Sequence, residues 1–134
     1  MKTNMRLWSV RGAVSLEDQG GGTTGLQNQL IVRVDELLSN MFLKNEIDTE
    51  NCVHIMFTQT PDIDFINAAS AARSGKHADS ISKIPLFCAQ EPEYPESLPL
   101  TLRVMVSYYR EINHQPQPVY LYGARELRKD LFGG

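Results

Sequence analysis

The sequence predicts a layered α/β or ferredoxin-like domain, with helices on one face of a sheet. Two patterns carry this reading. Short apolar segments at residues 7–10, 52–58, 84–87 and 119–122 have the length of strands, and three longer stretches with helical features lie between them. The order is β-α-β-α-β-α-β plus a tail, the alternation expected of layered folds. The third observation is size. A chain of 134 residues, 42% hydrophobic with a net charge of −3, is one domain able to bury a respectable core. A four-strand sheet covered on one side leaves a face or edges free, which suggests an oligomer with sites shared between subunits.

In the first strand Trp8 and Val10 share a face, and Arg11-Gly12 ends it. An arginine at a strand exit can reach into a cleft, although an exposed arginine beside a turn is the ordinary case. Gly20-Gly21-Gly22 and Gly25 suit a flexible loop better than a phosphate cradle, since neither a Gly-Lys-Ser/Thr nor a spaced G-x-G-x-x-G accompanies them. Leu26, Leu30, Val34, Leu37, Leu38, Met41 and Phe42 then recur at helical spacing, a helix whose apolar stripe faces the core. After a polar connector at 45–51, the near-continuous apolar run 52–58 predicts a buried strand with His54 packed or hydrogen-bonded inside it. Cys52 reads as a small core hydrophobe.

Thr60-Pro61-Asp62 has the form of a helix start, a hydroxyl cap before proline and an acid. That helix runs to about Arg73, with Phe65, Ala68, Ala69 and Ala72 on one face, Arg73 in the dipole-favoured last turn and Gly75 as its stop. A polar loop at 76–83 precedes the third strand. Ser97 is expected to cap a helix over about 98–113, with Leu98, Leu102, Met105, Val106 and Tyr109 toward the core. The turn at 114–118 leads into the fourth strand, and 123–134 is a charged tail with Arg125, Arg128 and Lys129, anchored by Leu127 and Leu131.

Composition removes several function classes. No apolar run approaches the roughly 18 residues of a membrane span. Basic residues are outnumbered and scattered, so no nucleic-acid footprint is present. Two cysteines, Cys52 and Cys88, make neither a disulfide framework nor a metal cluster, and His54 has no second ligand at metal spacing. Residues 1–6 carry no signal-peptide core, so a reducing cytoplasmic setting is expected.

The chemistry concentrates at Cys88-Ala89-Gln90-Glu91-Pro92, where a thiol and a carboxylate enter a loop broken by Pro92, Pro95 and Pro99. Arg103 follows inside an apolar pattern. An acceptor and a permanent cation thus stand on neighbouring elements, and the rest of the chain is expected to add further arginines to the same cleft.

Several segments together resemble the small, monofunctional, trimeric chorismate mutases of the α/β class. They are Val10-Arg11-Gly12-Ala13, Thr60-Pro61-Asp62-Ile63 with Ala69 and Arg73 behind, Cys88-Ala89-Gln90-Glu91, Leu102-Arg103-Val104-Met105, Val119-Tyr120-Leu121, Gly123-Ala124, and Leu127-Arg128-Lys129-Asp130-Leu131. Each is weak alone, but their order and spacing across almost the whole chain are specific. The resemblance implies an α+β, ferredoxin-like protomer with a mixed sheet and helices on one face. It also implies a homotrimeric pseudo-barrel with an active site in each interface. The implied reaction is the [3,3] rearrangement of chorismate to prephenate in aromatic amino-acid biosynthesis, without metal, coenzyme or covalent intermediate.

The residues suit that reaction. Its substrate is a dianion with a ring hydroxyl, and negative charge gathers on the ether oxygen in the transition state. A catalyst needs cations for two carboxylates, an acceptor for the hydroxyl and a donor at the ether oxygen. Arginine fits better than lysine because its planar fork binds carboxylates bidentately. By resemblance, Arg103 addresses the ether oxygen and side-chain carboxylate, Arg11 the side-chain carboxylate, and Tyr120 a carboxylate. Glu91 and Cys88 meet the ring hydroxyl, with the Cys88 backbone as a further contributor. Arg73 and Arg128 sit near the mouth, Arg128 from a mobile tail, and Ala69 and Leu127 line the apolar wall. Glu91 is not a general base and Cys88 not a nucleophile, since no proton transfer is required and no activating base stands beside the thiol.

The chain departs from the family pattern at the pocket wall and mouth. Asn67 stands where a Phe is usual and Phe87 where a Thr is usual. The Gly20–Gly25 loop and the loop after Arg73 are longer, and residues 92–97 lack the usual glycines. A non-catalytic or substrate-shifted paralogue, binding chorismate or a related enol ether, is the alternative these changes support.

Overall fold

A computed structural model describes residues 4–132 of the chain; Gly133 and Gly134, the end of the expected tail, lie outside the described residues. The elements are β1 (Met5–Ser15), α1 (Gly22–Lys44), β2 (Cys52–Gln59), α2 (Ala68–Arg73), β3 (Leu86–Gln90), β4 (Thr101–Glu111), β5 (Val119–Leu121) and, after a 3-10 segment at Tyr122–Arg128, α3 (Lys129–Phe132). The sheet order is β3-β2-β4-β1-β5. The central strand β4 runs antiparallel to both β1 and β2, while β3 and β5 add in parallel at the edges. The fold is α+β with a mixed five-strand sheet, against the four strands expected.

The helices and the sheet share one core. Leu30, Val34, Leu37, Leu38 and Met41 of α1 and the alanines of α2 pack against Val10, Val14, Ile55, Phe57, Leu102, Val104, Val106 and Tyr108 of the strands, all buried. Burial of each large side chain contributes about 1.5–3 kcal/mol, which ties α1 to the sheet far more firmly than helix propensity does.

The largest correction is β4. Residues 98–113 do not form a helix capped by Ser97, whose hydroxyl instead bonds Tyr94 O in a turn. In Leu-Arg-Val-Met-Val-Ser-Tyr-Tyr, the every-second-residue set Leu102, Val104, Val106 and Tyr108 is the buried one. Leu102 and Val106 fit both periods, so helical spacing was satisfied by accident, and the β-branched and aromatic content favoured the strand.

The misplaced start of α2 has the same origin. Thr60-Pro61-Asp62 receives β4 rather than opening a helix: Thr60 and Thr101 exchange backbone and hydroxyl bonds, and Leu100 N donates to Asp62 Oδ2 at 2.9 Å. The helix begins at Ala68, where the Asn67 side chain caps Ala69 N and Ser70 N.

Three further boundaries move. Arg11-Gly12 does not end β1, which continues to Ser15 because β4 and β5 flank it on both sides. Gly12 is required by packing: a Cβ there would stand 2.5 Å from Met41 Sδ and 3.1 Å from Val119 O. The glycine stretch belongs partly to α1, which starts at Gly22. Cys88 to Gln90 lie in β3, so only Glu91 of the expected loop set is in a loop. His54 is exposed rather than packed, beside a bulge that shifts the β2–β4 register between Cys52 and His54.

The far end of β4 is closed by a polar pair. Burial pushes the Tyr108 phenol up to about 12, and its hydroxyl shares a hydrogen bond with His114 Nε2 at 2.8 Å. Burial, the largest cause, and then the Arg110 charge lower the His114 pKa, keeping the ring neutral.

Two outcomes follow. Gly12→Val should destabilise the fold by about 1–3 kcal/mol through overpacking against Met41, read as a lower urea midpoint with unchanged slope. Because the folded-state pKa of His114 is depressed, the unfolded chain binds more protons below about pH 6.5, so this contribution is present above that pH and lost as pH falls through it toward the folded value. The drop in urea midpoint from pH 7.5 to 5.5 should therefore shrink in His114→Gln.

Candidate active site

The face of the sheet away from α1 and α2 carries the site. Residues paired directly across strands point to one side. Arg103 on β4 is paired with Thr58 on β2 and Ala13 on β1, and Ala13 with Tyr120 on β5. The next row is Phe87, Met56, Met105 and Arg11. Arg11, Gly12, Met56, Thr58, Arg103, Val104, Met105 and Tyr120 line a cavity of about 210 Å³ on this face.

Glu91, at the end of β3, stands against two of the lining residues, Thr58 and Arg103. Its backbone N–H donates to Gln59 O at 2.9 Å, which continues the parallel ladder one residue past the strand. That places its carboxylate over Thr58 and Arg103. Thr58 Oγ1 donates to Glu91 Oε2 at 2.5 Å, and Arg103 Nε lies 3.3 Å from Glu91 Oε1. Arg103 Nε is buried, yet it has no hydrogen-bond partner. A buried N–H without an acceptor costs free energy, and such a group is a natural place for a ligand oxygen. Two guanidinium groups and one carboxylate leave the cavity net positive in a net negative chain.

Larger cavities exist, of about 510 and 480 Å³, but they do not fit an anion. The first is lined by Asp62 and Glu93 within the proline loop, and the second by Glu50 and Asp79 beside Lys83. The first offers carboxylates without a cation and the second more acid than base.

The tail reaches the same face. Ala124 is buried with Ala13 and Tyr120, and Leu127 packs against them. Arg128 Cζ stands 5.8 Å from the Tyr120 ring centre, and its Nε and Nη2 bond Asp130 at 3.0 and 2.9 Å. This bidentate bond, and then the Tyr120 hydroxyl, raise the Arg128 pKa above its ordinary value. Tyr122 holds the base of the tail at a left-handed φ of 56°, with its ring 3.7 Å from the Arg33 guanidinium carbon and its hydroxyl donating to Glu36. Backbone strain of roughly 1–2 kcal/mol at a non-glycine residue is offset by these contacts.

The structure therefore brings Arg103, Arg11, Glu91 and Tyr120 together, with Leu127 and Arg128 beside them. It does not bring Asn67, Ala69 or Arg73 to this cavity, since α2 lies on the helical side of the sheet within the chain. The Cys88 thiol is also turned away, toward Gln59 Oε1 at 3.1 Å and the core. Pro85 O and Glu91 N make the bonds to β2, so in this ladder the N–H and C=O of Cys88 face the free edge of β3. Thr58, Met56 and Met105 line the cavity and were not singled out by the sequence. Reading residues 101–111 as a strand would have exposed Met105 beside Arg103. Among the described residues no cluster of side chains suits a metal ion, and no helix is long and apolar enough to cross a membrane.

Comparisons with known proteins bear on the family and fold of the whole chain. A family profile described as Chorismate mutase type I matches residues 7–131. The chain is 31% identical over 125 residues to chorismate mutase AroH of Thermus thermophilus, spanning 91% of this chain and 93% of that one. It is 25% identical over 128 residues to chorismate mutase AroH of Bacillus subtilis, spanning 95% and 94%. A solved chorismate mutase from Clostridium thermocellum superposes with a TM-score of 0.70 at 28% identity, covering 89% of this chain and 98% of that one.

Proposed function

Because the chain belongs to the chorismate mutase type I family and is a chorismate mutase, we propose that the Arg103 cavity is where it isomerises chorismate to prephenate, within a homotrimer whose neighbouring subunit completes each site. The observation that carries this is the meeting of Arg103 with Glu91 at 3.3 Å in a cavity also lined by Arg11 and Tyr120.

The rearrangement is intramolecular, so the protein's task is to hold a reactive conformer and stabilise developing charge. Arg103, with an unpartnered buried N–H, donates to the ether oxygen as it becomes negative and holds the side-chain carboxylate. Arg11 binds the side-chain carboxylate and keeps the enolpyruvyl arm folded. Tyr120 donates to a carboxylate. Glu91 accepts the ring hydroxyl, and Cys88 adds its edge-facing backbone rather than its thiol. Leu127 supplies apolar wall and Arg128 charge at the mouth, from a tail that closes over ligand.

Two features support completion by a second copy. At about 210 Å³ the cavity is below the range of about 300–1,000 Å³ usual for small-molecule sites. The face around it leaves Met56, Phe87 and Met105 exposed in one row and Leu7 and Tyr109 beyond the Ser9–Ser107 pair, with Phe87 at 69%, apolar surface of the kind an interface covers. In this arrangement the exposed Arg73 serves a neighbour's cavity, whereas Ala69 is buried in its own core and Asn67 caps its own helix. The enzyme works in the cytoplasm, in aromatic amino-acid biosynthesis.

Arg103→Ala should keep the fold and assembly but lose roughly 10²–10³ in kcat, the scale for removing one transition-state donor; near wild-type turnover of pure mutant would refute the assignment. Light scattering should give three times the chain mass. Phe87→Asp should lower both that mass and activity, and a monomer with full activity would exclude the shared site. Proteolysis after Gly123 should slow when a bicyclic diacid mimic of the transition state is bound.

A further inference from the structure

We propose that Thr58 is a positioning residue of this enzyme, setting the Arg103 guanidinium through Glu91. The inference rests on the reading of the Arg103 cavity above. Both carboxylate oxygens of Glu91 are engaged by the protein, Oε2 by the Thr58 hydroxyl at 2.5 Å and Oε1 by Arg103 Nε at 3.3 Å. Glu91 sits beyond the end of β3 and is fixed at its backbone only by the single bond to Gln59 O. Its side chain would otherwise rotate among several rotamers. A hydroxyl on β2, directly paired with Arg103 across the ladder, selects the rotamer that faces the guanidinium.

The distances give the order of influence. The bond from Thr58 to a carboxylate is short and charge-assisted, so it is the strong link. The Glu91–Arg103 approach is longer and lacks hydrogen-bond geometry, so it biases the guanidinium by charge and leaves the buried Nε–H without a hydrogen bond. Thr58 thus acts on the reacting atoms only through another side chain. Its own side chain points to the open face, away from the core residues Ile55 and Phe57 on the same strand. Removing the hydroxyl should therefore leave the fold intact.

The test compares Thr58→Val, which keeps shape and removes the hydroxyl, with Thr58→Ser, which keeps the hydroxyl. Because Arg103 serves the transition state more than the bound substrate, Thr58→Val should lower kcat about tenfold, the scale of one hydrogen bond to a charged group, with KM changed by less than about threefold. Thr58→Ser should restore kcat to within about twofold of the unaltered enzyme. In the ligand-free protein, the ¹⁵N-labelled Arg103 Nε–H resonance, assigned by its loss in Arg103→Lys, should shift and broaden in Thr58→Val and not in Thr58→Ser. An unchanged kcat and resonance in Thr58→Val, or equal losses in the valine and serine variants, would overturn the proposal. If the unaltered protein fails to convert chorismate, the functional reading falls, while the resonance comparison still decides whether Thr58 positions Arg103.

Discussion

The double pairing of β4 is the constraint on which the rest of the molecule depends. With β1 on one side and β2 on the other, the strand cannot slip by a residue without turning Leu102, Val104, Val106 and Tyr108 out of the core. The same lock fixes what points the other way. Arg103 is held between Ala13 and Thr58, and Met105 between Arg11 and Met56. The site's principal cation is thereby carried by the most strongly held element of the fold rather than by a loop, the placement that best preserves geometry through a reaction. Packing energy from the helical face is what keeps charge in register on the open face.

Fixed charge is the right instrument for an intramolecular rearrangement. No proton has to move, so the site has no need of a group titrating near neutrality, and it is built from arginine, glutamate and tyrosine. An oriented guanidinium in a partly dry cavity acts on developing negative charge without reorganising at the moment of reaction. In the proposed site Glu91 would play two parts at once, as acceptor and as brace for Arg103. The brace has a cost, because a carboxylate beside a cation competes with an anionic ligand. The offset between Arg103 Nε and Glu91 Oε1 keeps that competition weak.

How much of this was legible depended on period. The α1 stripe from Leu30 to Met41 repeats often enough to leave one interpretation, and it lies buried as expected. The polar residues Arg11, Arg103 and Tyr120 were found from family motifs and line one cavity, with Glu91 beside Arg103. Their supporting elements were harder to read. In 101–111 two of the apolar positions, Leu102 and Val106, satisfy helix and strand alike, and only the neighbours on both sides decide, which is tertiary information. Thr60-Pro61-Asp62 is locally a good helix start, but its hydroxyl and carboxylate are used by Leu100 and Thr101, about forty residues on. Gly12 looked like a stop because its reason, Met41 across the sheet, is invisible along the chain. Thr58 carries no motif at all, and its role appears only when β2 is aligned with β4.

The departures from the family pattern acquire physical reasons in the folded chain. Asn67 is the N-cap of α2, with its carboxamide oxygen accepting from Ala69 N at 2.9 Å and Ser70 N at 3.3 Å. A phenylalanine could not do this, and a cap of that kind contributes about 1 kcal/mol. Phe87 extends the outward row of Met56 and Met105, where an aromatic ring adds apolar surface of the sort an assembly buries. Neither substitution touches the Arg103, Glu91 and Thr58 network, and neither introduces a negative charge into the cavity. A binding protein that had abandoned catalysis would be free to lose the buried Nε–H of Arg103, whose lack of a hydrogen-bond acceptor has a cost although Glu91 Oε1 stands 3.3 Å away. Its retention beside Arg11 and Tyr120 is the reason to read Asn67 and Phe87 as changes in how this enzyme is held together, with its chemistry left in place.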